Sequence, residues 1–166
     1  FGKRESDQFL ALFNANREGL DQTSPELAEL NYKIGMMYFN YYTEGGELAS
    51  LSTRIQKAYP FFEANYNNDS IEGGFSTKDL SDCYYQICSF YRQYILNTTT
   101  VEEASKGNYD VLLSQIDQTI ESIKSAGAYD QLSLYNGVFL LINDQRTNMA
   151  LTGVQEEDLY RILTKI

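Results

Sequence analysis

Residues 32–42 read YKIGMMYFNYY and residues 85–95 read YQICSFYRQYI. At an offset of 53, Tyr32 aligns with Tyr85, Ile34 with Ile87, Tyr38 with Tyr91 and Tyr41 with Tyr94. The small Gly35 falls opposite the small Cys88. Helical periodicity alone does not require that many coincidences, so the two stretches read as copies of one structural unit. The spacing has a mechanical meaning. Ile34 and Tyr38 lie four apart, on one helix face, and the small residue between them lets a second helix approach closely.

Working outward, apolar residues recur at helical spacing along most of the chain. A first helix is expected over about Ser6 to Glu18. Ser24 as cap, Pro25 at the first turn and Glu26 and Glu29 near the positive helix end predict a second helix running to about Thr43. Glu44-Gly45-Gly46 breaks it. A third helix is expected from Glu47 to Tyr66, with a kink near Ala58 and Tyr59 where Pro60 removes a backbone bond. Ser76 and Asp79 have the spacing of a capping box ahead of a fourth helix reaching about Leu96. Thr100 and Glu103 start a fifth, whose core runs from Tyr109 to Ile123 and which Gly127 closes. A sixth spans about Asp130 to Leu151, where Gly153 ends it, and a short amphipathic one covers Gln155 to Ile166. Another step of 53 reaches Val138, in a stretch without the tyrosines, which reads as a degenerate third copy or a cap.

Two resemblances rest on these residues. Ile34-Gly35 with Tyr38, and Ala58 with Phe62, resemble the two helices of a tetratricopeptide-type repeat, and Tyr84, Ile87, Cys88 and Tyr91 repeat the first half. The unit here is near 53 residues, longer than that family's, so the resemblance is to a divergent, long-helix variant over roughly Glu26 to Ile123. It implies an all-α fold, a short right-handed solenoid of antiparallel helix pairs. Its units are approximately 24–67 and 77–126, with terminal helices over 128–166, in one domain covering 1–166. The alternative is a closed helical bundle. A narrower resemblance joins Tyr32-x-Ile34-Gly35-x-x-Tyr38, Arg54 and Ala58-Tyr59-Pro60-Phe61-Phe62. It is similar to the helical region that follows the catalytic domain in some Firmicutes serine/threonine protein kinases. It implies an accessory or sensor part of a membrane-anchored bacterial protein, on either side of the membrane. Residue 1 is Phe, which is expected of a piece cut from a longer chain.

Composition narrows the function. Lys plus Arg number 13 and Asp plus Glu 23, a net charge of −10, so there is no basic footprint for nucleic acid. At about 150 mM salt the chain should not shift a DNA or RNA probe at micromolar concentration in a mobility assay; a shifted band would contradict this reading. Histidine is absent, which removes His-based triads and His-ligated metal sites. Cys83 and Cys88, five apart, would sit about 8 Å apart on a helix and cannot pair there. They read as buried thiols. No apolar run approaches the length that spans a bilayer, so no direct membrane insertion is expected. Asn67 to Gly74 lacks the alternating ligands of a calcium loop. Asn68-Asp69-Ser70 and Asn97-Thr98-Thr99 match glycosylation sequons, relevant only to a secreted eukaryotic chain. The acids Glu102, Glu103 and Glu156 to Asp158 suit helix starts.

A non-enzymatic protein- or peptide-interaction or sensor module follows, with no cofactor and no metal. The alternatives are an enzyme built on carboxylates and a structural spacer. The tetratricopeptide resemblance implies ligand-facing positions at Tyr32, Met36, Phe39 and Asn40 in the first unit. In the second it implies Tyr85, Ser89, Arg92 and Gln93. A peptide with an apolar anchor and a carboxylate for Arg92 would suit them.

Overall fold

Pro25 opens a helix because its fixed φ suits the first turn and its missing N–H is not needed there. In the computed structural model, which describes residues 3–71, 73–95, 109–127, 129–148 and 151–166, that helix is α2, Pro25–Tyr41. It follows α1, Lys3–Arg17. Next come α3, Leu51–Tyr66, and α4, Lys78–Phe90, whose last turn widens into a π-type turn over Tyr91–Ile95. Helices α5, Tyr109–Ser125, α6, Gln131–Asn148, and α7, Gly153–Arg161, complete the order, with a closing 3₁₀ turn, Ile162–Lys165. Among the described residues the fold is all-α apart from one two-residue ladder. The Thr100–Glu103 capping pair and Asn97 lie outside the described residues.

Three boundaries differ from the sequence reading, each for a local reason. Glu44-Gly45-Gly46-Glu47 does more than break a helix. Gly45 and Gly46 take φ of 60° and 87°, the pair of positive values a tight hairpin turn demands. Strands β1, Thr43–Glu44, and β2, Glu47–Leu48, therefore pair antiparallel, and α3 starts only at Leu51, capped by the Ser50 hydroxyl. Pro60 sits inside an unbroken α3. It is exposed, and so is Gln56, whose carbonyl loses its amide partner, so solvent can take that place. Gly153 is a helix start rather than a stop. Thr152 and Gln155 form a reciprocal capping box across it.

Ser76 also has another partner than expected. It does not cap with Asp79; its N–H and hydroxyl donate to Glu29 on α2, at 2.9 and 2.6 Å. The Thr77 N–H and hydroxyl do the same at 3.3 and 2.8 Å. Glu29 is thus the anionic cap of α4, from 47 residues away. Partial burial pulls its pKa up, but the four hydrogen bonds outweigh this and hold it below the usual carboxylate range. A lowered folded pKa stabilises above the unfolded value, about 4.3, and that stabilisation is lost as pH falls through the folded pKa. Glu29→Ala should cost about 1–2 kcal/mol at neutral pH. The gap between the variant and the parent in urea melts should close below about pH 4; a gap that persists in acid would contradict this.

The main core draws one face from each of α3 to α7. Leu112, Ile116, Ile120 and Ile123 from α5 keep the 4-4-3 spacing of a helical stripe, and Leu134, Val138, Leu141 and Ile142 come from α6. Gly35 lies where α2 crosses α3. A Cβ there would stand 2.6 Å from Phe62 Cε1. Phe62 is fully buried, its ring stacked on Tyr84. Cys88, the aligned small residue, is fully buried as well. Asn65 joins three helices: its amide donates to Ala28 O at 2.8 Å and Ser81 Oγ at 3.2 Å.

Candidate functional site

The eight positions implied by the repeat resemblance separate into two groups. The α2 group turns inward. Phe39 has no exposed surface and packs edge-on against Tyr84, 5.1 Å between centroids, so it cannot meet a ligand and is corrected to core. Tyr32 is half-buried against Phe62 and Met36 packs on the same core. Burial first, then the neighbouring Tyr84, Asp130 and Glu29, pushes the Tyr32 hydroxyl up to about 12. Asn40 is half-buried on the same helix. The reason is geometric. Helix α2 lies along α3, and Tyr84 reaches Phe39 from α4, so the side chains expected to face a groove fill an inter-helix seam.

Of the α4 group, Tyr85 and Arg92 gather against α3. The Tyr85 ring stacks on Tyr66 at 4.0 Å and on Tyr59 at 5.7 Å, with interplanar angles of 16° and 26°. The Arg92 guanidinium lies 3.8 Å above the Tyr59 ring centre. Tyr59 and Tyr66 are seven apart on α3, and Tyr85 and Arg92 are seven apart on α4. Each pair spans two helical turns, so the four side chains form one ladder across the α3–α4 seam. Stacked pairs contribute about 0.5–1.5 kcal/mol each, and an exposed cation on a ring about 0.5–1. Burial, with Glu63 and Tyr85 alongside, pushes the Tyr59 hydroxyl above its ordinary range. Tyr66 remains 39% exposed and Arg92 is exposed, so the end of the ladder is open to a ligand. Sequence reasoning missed Tyr59 and Tyr66; the heptad spacing was the available signal.

Ser89 and Gln93 point to the other flank of α4. There a groove of about 220 Å³ opens against α5. Its α4 wall is Gln86, Ser89, Phe90 and Gln93; its α5 wall is Gln115, Gln118, Thr119 and Ser122. The Gln86 amide donates to the Tyr66 hydroxyl at 3.3 Å, which joins groove and ladder into one outer face. A larger groove of about 510 Å³ lies between α5 and the C-terminal segment. Its cations are already paired, Arg161 with Asp158 at 2.9 Å and Lys165 with Asp117 at 2.5 Å.

Both cysteines are buried, and burial pushes their thiols up, away from the reactive thiolate. Among the described residues no group of three or more Cys, Asp or Glu is placed to hold a metal ion, and no helix is long and apolar enough to cross a membrane. No protein-family model, curated protein or solved structure matches the chain.

Proposed function

We propose that the chain is a non-enzymatic module that binds a peptide segment of a partner protein on the outer face of α3, α4 and α5. The ladder of Tyr66, Tyr85, Tyr59 and Arg92 carries the reading. Rigid aromatic side chains lose little entropy on binding, and Arg92 can take a ligand carboxylate while its other face rests on Tyr59. The ligand class is the one expected from the sequence, an apolar anchor with a nearby carboxylate. The surface that takes it is now the α4 half of that set.

The module is read as a short right-handed solenoid. Phe39 meets Tyr84 between α2 and α4, and the Tyr91 hydroxyl donates at 2.8 Å to Asp144, 53 residues on, between α4 and α6. Helices one repeat apart thus meet through side chains, α4 and α6 along more of their length, which supports repeat stacking. The similarity to the region after the catalytic domain of Firmicutes serine/threonine kinases supports an accessory place in a larger protein.

The test is selection from a random peptide library displayed on phage. Selected peptides should carry an acidic residue beside an apolar one. Their synthetic versions should bind at least tenfold more weakly to Tyr85→Ala and Arg92→Ala. Both variants should keep the parent circular-dichroism spectrum. A library that yields no binder, or binders indifferent to both substitutions, would leave the spacer reading in its place.

A further inference from the structure

The α4–α5 groove has an unusual lining for this chain. The sequence carries 36 charged residues among 166, yet the eight that line the groove include none. Both walls follow the same spacing. Gln86, Ser89, Phe90 and Gln93 occupy steps of three, four and seven, and so do Gln115, Gln118, Thr119 and Ser122. Each wall is therefore one helical stripe, and the two stripes face each other. Helices that pack closely put apolar side chains at such positions. Here amides and hydroxyls hold all of them but Phe90, which belongs to the core. The side chains of Ser89, Gln93, Gln115 and Ser122 make no hydrogen bond among the described residues. Ser89 and Gln115 are half-buried in the crevice, and Gln93 and Ser122 lie exposed along its rim.

From this we infer that the groove takes the main chain of an extended, uncharged peptide segment, read by hydrogen bonds to its backbone amides. The inference rests on the peptide-binding reading above and assigns the part of the ligand that continues past the ladder. A primary amide offers a donor and an acceptor in one plane, the same pair that a peptide group offers in return. The spacing fits as well. Residues four apart on a helix are separated by about 6 Å, and same-side groups of an extended chain, two residues apart, by about 6.6 Å. Ser89 to Gln93, Gln115 to Thr119 and Gln118 to Ser122 all take that step. A sugar ring clusters its hydroxyls at one spot and would want converging groups, whereas these run in rows. Charge selects the segment. A groove without ions would strip solvent from a charged ligand side chain and return no counter-ion, so the residues facing it are uncharged.

The experiment uses a library-selected peptide made again with single amide-to-ester replacements, which delete one backbone donor and leave the side chains in place. Replacement within the groove segment should weaken binding about two- to tenfold, and replacement outside it should not. Gln93→Leu with Gln115→Leu should produce a similar loss and abolish the difference between amide and ester. Both residues border solvent, and a thermal melt verifies that the double variant folds. Ester peptides that bind as the parent does, while Tyr85→Ala still weakens binding, would overturn the backbone reading and leave the peptide module intact. A peptide set that does not bind at all would overturn both. Maltoheptaose, a neutral oligosaccharide, shifting the groove amides where no peptide does would assign the groove to a polyol and overturn the inference.

Discussion

Gly35→Leu should destabilise the protein by about 3 kcal/mol, at the upper end of the range for overpacking a core. For a domain of this size that lowers the melting temperature by about 6–12 °C. The more informative variant is Gly35→Ala. On helix propensity alone, replacing a mid-helix glycine with alanine stabilises by about 1 kcal/mol. The crossing reverses that sign. The added Cβ would stand 2.6 Å from the Phe62 ring, and that ring has no room to retreat, with Tyr84 stacked 5.6 Å away on one side and Tyr32 against it at 6.5 Å. Gly153→Ala is the control. A Cβ there meets nothing within 4 Å, so its effect should stay within about 0.5 kcal/mol. Thermal melts of the three variants check this, and a stabilised Gly35→Ala would remove the close crossing from the account.

Arg54→Met should cost about 3 kcal/mol, and Arg54→Lys should not rescue it. Arg54 is buried, with 9% exposure, and its fork holds two carbonyls. Nη1 donates to Phe39 O at 2.8 Å and Nε to Ala49 O at 3.0 Å. Phe39 O belongs to the last turn of α2, where carbonyls have no helical amide. Ala49 O lies just beyond the hairpin. One guanidinium therefore ties both flanks of the Thr43–Leu48 hairpin to α3. Burial pulls its pKa down, while Asp144 and Tyr91 push it back up, and the group stays charged. Methionine keeps the packing and loses both charge-assisted bonds, each contributing about 1.5–3 kcal/mol. Lysine ends in a single nitrogen and cannot span two carbonyls in fork geometry. Urea midpoints for the two variants decide the matter; a lysine variant as stable as the parent would refute the role of the fork.

Much of the fold could be read from local chemistry. Pro25, the Gly35–Tyr38 spacing and Gly127, with φ of 112°, each act within a turn or two of themselves, and the helices fall where those residues place them. What escaped depends on distance or on competing local signals. Glu29 caps a helix that begins 49 residues later, and nothing near Glu29 announces it. Gly45-Gly46 and Gly153 were open to two readings, and the pairing of Thr43 with Leu48 and the Thr152–Gln155 box decided them.

The site divides in the same way. Tyr85, Ser89, Arg92 and Gln93 follow from spacing on one helix, and the structure divides them between the α3 seam and the α5 groove. Phe39 failed because the side of α2 that is covered depends on α3 and α4 together, which single-helix spacing does not encode. Tyr59, Tyr66 and the α5 amides lay open to a heptad reading of polar and aromatic residues, a pattern that a search for apolar stripes passes over.

The proposed peptide-binding face on α3, α4 and α5 is tested most directly by amide chemical-shift mapping. Isotope-labelled protein is titrated with one library-selected peptide and every backbone amide is followed. The shifts should concentrate at residues 85–93 on α4 and 115–122 on α5, with Tyr59 and Tyr66 responding beside them. Shifts confined to α2 around Tyr32, Met36 and Asn40, with α4 and α5 silent, would contradict the account.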